Sequence, residues 1–348
     1  MERREKRQRT GQGGRQVASA ALILGAILFG LPGLALRGEP LYHREPLEEL
    51  TPQELPLEPA VPTAPARDRG RAVRLQTKAG DIQELSMADY LWGVVAAEMP
   101  ASFQLEALKA QACAARTYTV IRQDSGSGKH PEAEICGDSA CCQAYISRQD
   151  AEARWGLNAK EYSEKIQQAV AETDGLGVLY EGKPIQALFF SSAAGKTVDA
   201  VEVWGNEVSY LKSVDSPEGD EVPNYRTQAV FPPDQVKELT LAAYPGADLS
   251  GNPDTWFGEA SRNSGGGVIS IPLGGITLTG GQARGLFSLR SATFTVTWDG
   301  SNFIFDVTGY GHGVGMSQYG ANAMAGEGKT FRDILTWYYT GAQVGELW

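Results

Sequence analysis

Glu98 is the residue whose place in the sequence best suits acid–base chemistry. It lies in the segment SMADYLWGVVAAEMP, where apolar residues recur in pairs about every 3.6 residues, the period of an α-helix. Because Glu98 and Met99 continue this apolar stripe, the sequence predicts a carboxyl group on the face directed to the core. Partial removal from water raises the pKa of a carboxyl group and suits it to act as a general acid near neutral pH.

A structural ion pair is the alternative role for Glu98. Arg116 and Lys109 on the next predicted helix are possible partners, and structural pairs also perturb carboxyl groups. The small residues Gly93, Ala96 and Ala97 favour the functional interpretation, because they would leave room for a bulky ligand beside the carboxyl group.

The segment KHPEAEICGDSACCQAY carries a second candidate site. It brings His130, Cys136, Cys141 and Cys142 within thirteen residues, and thiolate plus imidazole is the ligand set that zinc prefers. A disulfide from Cys136 to Cys141 or Cys142 is the alternative outside the cytoplasm. Any zinc is expected to be structural, because the sequence has no HExxH-like pair. Cys113, among alanines in a predicted helix, is expected to be a core residue.

Two further segments carry candidate substrate-binding residues. In GYGHGVGMSQYGANAMA, His312 lies between glycines, and Ser317 and Gln318 begin the next helix; glycines at this density indicate a close approach of the backbone to a strand or a ligand. In FFSSAAGKTVDAVEVWG, hydroxyl groups at the end of a strand suit sugar hydroxyls or an ordinary turn. The predicted substrate-binding residues are Arg116, Ser191, Ser192, His312, Ser317 and Gln318.

The elements that would position these residues change along the chain from helices to strands. A strand pair is predicted from Val73 to Leu85, followed by helices over 86–99 and 101–123, the second with Ser102 as its N-cap. Alternating strands dominate from residue 178 onwards, with turns at Glu181-Gly182 and Asp299-Gly300, and helices are predicted over 161–172 and 331–339. The fold class is therefore α+β, with a helical first part packed on mostly antiparallel strands.

The N-terminal part of the chain does not resemble a folded core. Residues 1–16 form a basic head, and residues 17–36 are twenty uncharged residues, which as a helix would extend roughly 30 Å and cross a bilayer. The charge distribution predicts a cytoplasmic N-terminus and an extracytoplasmic remainder, with a cleaved signal peptide as the alternative. Residues 37–70, rich in proline and acidic residues, predict an extended tether, and residues 71–348 the catalytic domain.

The net charge of −11, with no basic stripe after the N-terminal head, argues against nucleic acid as a ligand. It does not argue against a sugar polymer.

The motifs resemble those of one family. Five segments, in order over roughly residues 71–345, resemble those of the family of stage II sporulation protein D and the related amidase-enhancer proteins. They are YLWGVVAAEMPASFQLEALKAQACAARTY, ICGDSACCQAY, LFFSSAAGKT, LRSATF and GHGVGMSQYGA. The resemblance implies a membrane-anchored lytic transglycosylase that cleaves peptidoglycan strands lacking stem peptides, with a wall amidase and a membrane partner, in septal wall remodelling during engulfment. It also implies Glu98 as the catalytic acid and zinc bound by His130, Cys136 and Cys142.

Two positions depart from the family pattern. Cys141 replaces a common histidine, which leaves water or Cys141 as the fourth zinc ligand, and Ala193-Ala194 replaces a more polar pair. Two other functions stay open: a non-catalytic glycan-binding module that stimulates an amidase, and a zinc hydrolase built on His130 and the cysteines.

Overall fold

The computed structural model describes residues 66–125 and 129–348. The predicted basic head, the predicted anchor over residues 17–36 and most of the predicted tether lie outside these residues. Within the described part of the chain, no helix combines the length and the apolar character needed to cross a bilayer.

The described residues form short strands around longer helices. The helices are α1 Ala66–Arg69, α2 Met87–Glu98, α3 Leu105–Ser125, α4 Arg148–Trp155, α5 Ala159–Ala171, α6 Ala200–Trp204, α7 Pro233–Ala243, α8 Gly280–Leu286, α9 Gln318–Gly326 and α10 Phe331–Tyr338. The strands are β1 Ala72–Gln76, β2 Ile82–Ser86, β3 Ile135–Cys136, β4 Leu176–Tyr180, β5 Lys183–Pro184, β6 Phe189–Phe190, β7 Arg226–Phe231, β8 Ser261–Arg262, β9 Val268–Leu273, β10 Ile276–Thr279, β11 Phe294–Trp298, β12 Phe303–Thr308, β13 Met316–Ser317 and β14 Gln343–Glu346.

Helix α3 is the centre of the first hydrophobic core. Helices α2, α5, α9 and α10 and strand β4 pack against it. Its residues 107–120 are all buried, and the many alanines among them let neighbouring helices approach closely. Cys113 is fully buried in this core, as predicted.

Helix α2 begins as the sequence predicts, whereas α3 does not. Ser86 caps α2, and its hydroxyl accepts a hydrogen bond from the Asp89 backbone N–H at 3.1 Å. The prediction of Ser102 as the N-cap of α3 is wrong. A turn closed by the Phe103 N–H and the Pro100 carbonyl precedes the helix, so the first intrahelical bonds go to the carbonyl of Gln104.

Three small sheets surround the first core. Strands β1 and β2 form the predicted antiparallel pair, and β3 adds to β1 in parallel. Strand β4 pairs antiparallel with both β14 and β5, and the predicted turn between β4 and β5 is confirmed, with positive φ at Glu181 and Gly182. Strands β6 and β13 form a short parallel pair.

A second hydrophobic core is inserted between β6 and β13. Strands β7, β12 and β11 form one antiparallel sheet, strands β8, β9 and β10 form another, and α7 and α8 complete the lobe. Its core is rich in aromatic residues such as Phe287, Phe303 and Phe305. The predicted α+β class with antiparallel sheets is therefore confirmed for the described residues. The strands, however, divide between two cores, which the sequence analysis did not predict.

Arg116 does not take the predicted place in a substrate site. Its side chain is fully buried, its Nη2 donates to Asp68 Oδ2 at 2.6 Å, and its Nη1 donates to the Leu176 carbonyl at 2.8 Å. No exposed part of the guanidinium is left for a saccharide, so we assign Arg116 to the fold. Because Asp68 lies in the segment assigned to the tether, the ordered fold begins before the expected boundary at residue 71.

We expect Asp68→Ala to lower the free energy of unfolding by about 3–5 kcal/mol, because it leaves the Arg116 guanidinium buried without a counter-charge. The control is Asp220→Ala, which removes an exposed ion pair with Arg226 and should cost about 0–1 kcal/mol. Urea denaturation of the full-length chain measures both. Similar losses in the two variants would contradict the structural role of the buried pair.

Candidate active site

Glu98 is the last residue of α2, and its carboxyl group is largely withdrawn from water. Its Oε1 accepts a hydrogen bond from the Ala144 backbone N–H at 2.6 Å, and Gln318 Nε2 lies 3.5 Å from Oε2. Burial raises the pKa of Glu98, and the two hydrogen bonds offset only part of that effect. The prediction of a desolvated carboxyl group at the end of the apolar stripe is therefore confirmed.

The alternative ion pairs of Glu98 are not formed. Arg116 binds Asp68, and Lys109 Nζ binds Glu106 at 2.6 Å and also Glu172. The Glu98 carboxyl group therefore has polar neighbours but no cationic partner among the described residues.

The Glu98 carboxyl group borders a cleft of about 770 Å³. Glu98 is the only acidic residue of the described chain that lines it. The other lining residues come from segments that are far apart in the sequence: Ala97, Tyr118, Arg122, residues 139–144, residues 187–191, Trp204, Arg284, residues 310–312 and Gln318.

Ser191, His312 and Gln318 are brought together with Glu98 in this cleft, although they are far apart in the sequence. Ser191 follows β6, Gln318 begins α9, and the parallel pairing of β6 with β13 places the two beside each other. These three residues were predicted to bind substrate, and they line the same cleft as Glu98. Their contact with a substrate stays a prediction.

His312 is held as a neutral imidazole. Its Nδ1 accepts from the Val314 N–H at 3.2 Å, which leaves the proton on Nε2 to donate to the Phe189 carbonyl at 3.1 Å. Burial, reinforced by the positive charge of Arg284, lowers the pKa of His312 to about 4. At neutral pH the ring therefore contributes shape and a hydrogen bond, not a charge.

Ser192 and Ser317 do not line the cleft beside Glu98. Ser192 lines a neighbouring hollow with Arg284 and His312, so its role in substrate binding stays a prediction, whereas the prediction for the fully buried Ser317 is corrected. Ser192 is almost fully buried and exchanges backbone hydrogen bonds with Tyr310. Ser317 is fully buried, its hydroxyl donates to Glu218, and it caps α9 by accepting from the Gly320 N–H at 3.2 Å. The Ser317 hydroxyl therefore serves a buried network and a helix N-terminus.

Glu218 organises that network. Its carboxylate accepts from the Ala193 N–H at 2.6 Å and from the hydroxyls of Ser216 and Ser317. Tyr338 in turn contacts the Ser216 hydroxyl at 2.7 Å. The Ala193 backbone thus belongs to this buried network.

Gly93 does not provide room for a ligand. A side chain at this position would collide with the Tyr145 ring at 2.3 Å and the Ile146 carbonyl at 2.7 Å. The Ile146 N–H also donates to the Gly93 carbonyl. The glycine therefore admits residues 145–146 against α2, and that contact supports the position of Ala144 beside Glu98.

The three predicted metal ligands and Cys141, the candidate for the fourth position, form one cluster. The ligand atoms of His130, Cys136, Cys141 and Cys142 all lie within 4.8 Å of one another, and all three cysteines are free thiols. His130 Nε2 lies 3.4 Å from Cys141 Sγ and 3.6 Å from Cys142 Sγ, and the two sulfur atoms are 3.9 Å apart. Tetrahedral zinc with Zn–S of about 2.3 Å and Zn–N of about 2.0–2.1 Å requires nearly these separations.

A second interaction orients the imidazole of His130. Its Nδ1 contacts Gln76 Oε1 at 2.9 Å, so that Nε2 is directed to the cysteines. Gln76 belongs to β1, and Cys136 belongs to β3, which pairs with β1. The cluster thus joins the first sheet to the loop that ends at Ala144, the hydrogen-bond donor to Glu98.

Several residues of the cleft were not predicted from the sequence. Trp204, with its side chain 48% exposed, lies 5.8 Å from the His312 ring, and Tyr310 is 44% exposed. Arg284 comes from the inserted lobe. The only local signal was Trp204, the tryptophan of the VWG segment. Arg284 and Tyr310 had no such signal, because the topology and not the sequence spacing brings them to the cleft.

Comparison with known proteins places the chain in a family. A sequence model described as Stage II sporulation protein matches residues 76–180. Stage II sporulation protein D of Bacillus subtilis is 38% identical over 266 residues, which cover 76% of each chain. The chain belongs to the stage II sporulation protein D family.

Other relatives agree with this assignment. Stage II sporulation protein D of Bacillus amyloliquefaciens is 37% identical over 78% of this chain and 77% of its own length. The amidase enhancer of Bacillus subtilis is 27% identical over 72% of this chain but only 39% of its own length. The resemblance drawn from the motifs is thereby confirmed, and this member of the family carries the Glu98 cleft and the cluster described above.

Proposed function

We propose that the chain is a lytic transglycosylase that cleaves between N-acetylmuramic acid and N-acetylglucosamine in peptidoglycan strands without stem peptides. The observation that supports this most is the partly buried Glu98 carboxyl group at a cleft large enough for saccharide units. A carboxyl group with a raised pKa retains its proton until a glycosidic oxygen is bound beside it.

One carboxyl group is sufficient for both proton transfers. Glu98 donates its proton to the oxygen that leaves as the bond to C1 of N-acetylmuramic acid breaks. The C6 hydroxyl of the same sugar then bonds to C1, and its proton passes to the Glu98 carboxylate, which closes a 1,6-anhydro ring and restores the acid. Ordinary glycosidases need two flanking carboxyl groups. The single acidic residue among the described lining residues is consistent with the one-carboxyl mechanism.

The polar neighbours of Glu98 have complementary effects. The Ala144 N–H stabilises the carboxylate after the first proton transfer, and Gln318 Nε2 lies within reach of the other oxygen. Because neither group carries a charge, they do not offset the whole effect of burial, and the pKa of Glu98 stays above its ordinary value. Transfer of the C6 hydroxyl proton to the Glu98 carboxylate therefore remains favourable.

A non-catalytic glycan-binding module is the second candidate function. The similarity to a protein named amidase enhancer supports it. In that case the cleft would bind strands, and an amidase would be recruited or stimulated without any cleavage by this chain.

The cellular setting belongs to the same proposal. We propose a single-pass anchor at residues 17–36, an extracytoplasmic catalytic domain, and action on septal wall during engulfment in sporulation. The partners would be a wall amidase, which supplies the peptide-free strands, and a membrane protein of the engulfment machinery. Membership of a family of sporulation proteins supports this setting.

We also propose that His130, Cys136, Cys141 and Cys142 hold a structural zinc ion. Four protein ligands complete a tetrahedral shell and leave no position for a substrate or a reactive water. This argues against the zinc hydrolase and assigns the fourth position to Cys141. The ion would stabilise residues 136–144 and hence the position of the Ala144 N–H.

The test of the catalytic role is Glu98→Gln, which keeps the size of the side chain but cannot exchange a proton. Removal of general acid–base catalysis should lower the rate at least about 10²-fold. The full-length chain is incubated with peptide-free glycan strands, and anhydro-ended fragments are quantified by mass spectrometry. Glu84→Gln, at an exposed position on β2, is the matched control and should keep the wild-type rate.

Anhydro products at the wild-type rate from Glu98→Gln would remove Glu98 from the catalytic role. Strand binding without cleavage by the wild-type chain would instead select the glycan-binding module.

The metal site is tested by measuring the zinc content and the unfolding temperature of the full-length chain. We expect one zinc per full-length chain, a loss of affinity in Cys141→Ser, and a lower unfolding temperature after chelation, because the ligands otherwise lack their common cation. Cys113→Ala, which alters the buried cysteine outside the cluster, should keep the zinc. Loss of turnover on chelation without any change in the unfolding temperature would contradict the structural role and favour the hydrolase.

A further inference from the structure

The cleft beside Glu98 is basic within an acidic protein. The chain has 42 acidic and 31 basic residues apart from histidine. Yet the described residues that line the cleft include two arginines, Arg122 and Arg284, against the single acid Glu98. With Glu98 protonated, the side chains that line the cleft carry a net positive charge, which favours an anionic ligand.

A second hollow shares Arg284 and Tyr310 with the cleft as lining residues. We call it the basic recess; its volume is about 420 Å³, and it is lined by Gly281, Arg284, Gly285, Ser288, Leu289, Arg290 and Tyr310. The guanidinium of Arg290 lies over the Tyr310 ring, 4.0 Å from its centre, and Arg284 Nε donates to the Leu289 carbonyl at 3.3 Å. Both arginines of the basic recess therefore have a contact that fixes the side chain.

Neither arginine of the basic recess has an acidic partner in the described part of the chain. Their contacts are a ring and a backbone carbonyl, and Arg290 Nε is buried without a hydrogen-bond partner. By contrast, Arg116 and Arg226 are each paired with an aspartate. Two neighbouring, half-buried guanidinium groups without a counter-charge form a site that a bound anion would complete.

Arginine suits a planar carboxylate in particular, because its guanidinium donates two parallel hydrogen bonds. In a strand that carries stem peptides, the lactyl carboxyl group of N-acetylmuramic acid is an amide and has no charge. Removal of the peptide releases a carboxylate on that sugar. A strand bound beside Glu98 thus carries this anion only after amidase action.

We propose that Arg284 and Arg290 bind the lactyl carboxylate of peptide-free N-acetylmuramic acid, and that the basic recess thereby selects strands already processed by an amidase. This inference rests on the proposed function, since it takes a glycan strand as the ligand of the cleft. It adds the feature of the strand that is recognised and the residues that recognise it.

The experiment compares binding of three ligands to the full-length chain carrying Glu98→Gln, which prevents cleavage during the measurement. The ligands are peptide-free strands, the same strands with the lactyl carboxylates converted to methylamides, and an uncharged N-acetylglucosamine oligomer. We expect affinity for the peptide-free strands to exceed that for the other two about tenfold, since charge-assisted hydrogen bonds are lost. Adding Arg284→Gln or Arg290→Gln should remove this preference, because the affinity for the peptide-free strands falls to that for the methylamide strands.

Arg226→Gln, the same change at an exposed position of the inserted lobe, is the matched control and should retain the preference. Arg284→Gln is the decisive variant if Arg290→Gln fails to fold, because the Arg290 Nε is buried. Equal affinity for free and methylamidated strands, or a preference that survives Arg284→Gln, would overturn the proposal, as would the absence of binding to any strand. A preference that disappears with Arg284→Gln supports it even if the wild-type chain cleaves nothing, so this test and the test of catalysis fail independently.

Discussion

The partial burial of the Glu98 carboxyl group is the constraint on which the proposed chemistry of this molecule depends. Three distant parts of the chain produce it. Helix α2 packs on α3 and brings Glu98 to the edge of the first core. The loop after the cysteine cluster supplies the Ala144 N–H, and the segment that returns from the inserted lobe supplies Gln318. A change in any of these parts would alter the proton affinity of the same group.

Opposing effects set that proton affinity. Burial penalises the carboxylate and raises its pKa, while hydrogen bonds from Ala144 and Gln318 stabilise the carboxylate and lower it. Burial is the larger effect. If Arg116 or Lys109 were paired with Glu98, the charge would instead stabilise the carboxylate, and the group could not serve as an acid at neutral pH. The pairing of both cations with other acids is therefore a condition of the proposed chemistry.

Local patterns were sufficient to predict the parts of the fold that depend on neighbouring residues. The apolar stripe of α2 placed Glu98 correctly, the spacing of His130 and the cysteines indicated the cluster, and the turn at Glu181-Gly182 followed from its residue types. The errors concern partners distant in the sequence. Arg116 binds an aspartate 48 residues earlier, and Ser317 binds a glutamate 99 residues earlier. Nothing near either residue indicated burial with that partner. The insertion of a second core between the paired strands β6 and β13 could not be predicted for the same reason. The positions of Arg284 and Tyr310 in the lining of the cleft depend on this insertion and could not be predicted either.

The most direct measurement is the titration of the Glu98 carboxyl group itself. Infrared difference spectra between the wild-type full-length chain and Glu98→Gln isolate this group, because the other carboxyl groups cancel. We expect the midpoint of this titration to lie above pH 4.5, the ordinary pKa of a glutamate, since burial disfavours the carboxylate. A midpoint at or below that value would show that the hydrogen bonds dominate and that Glu98 is ionised at neutral pH, which would contradict its role as the proton donor.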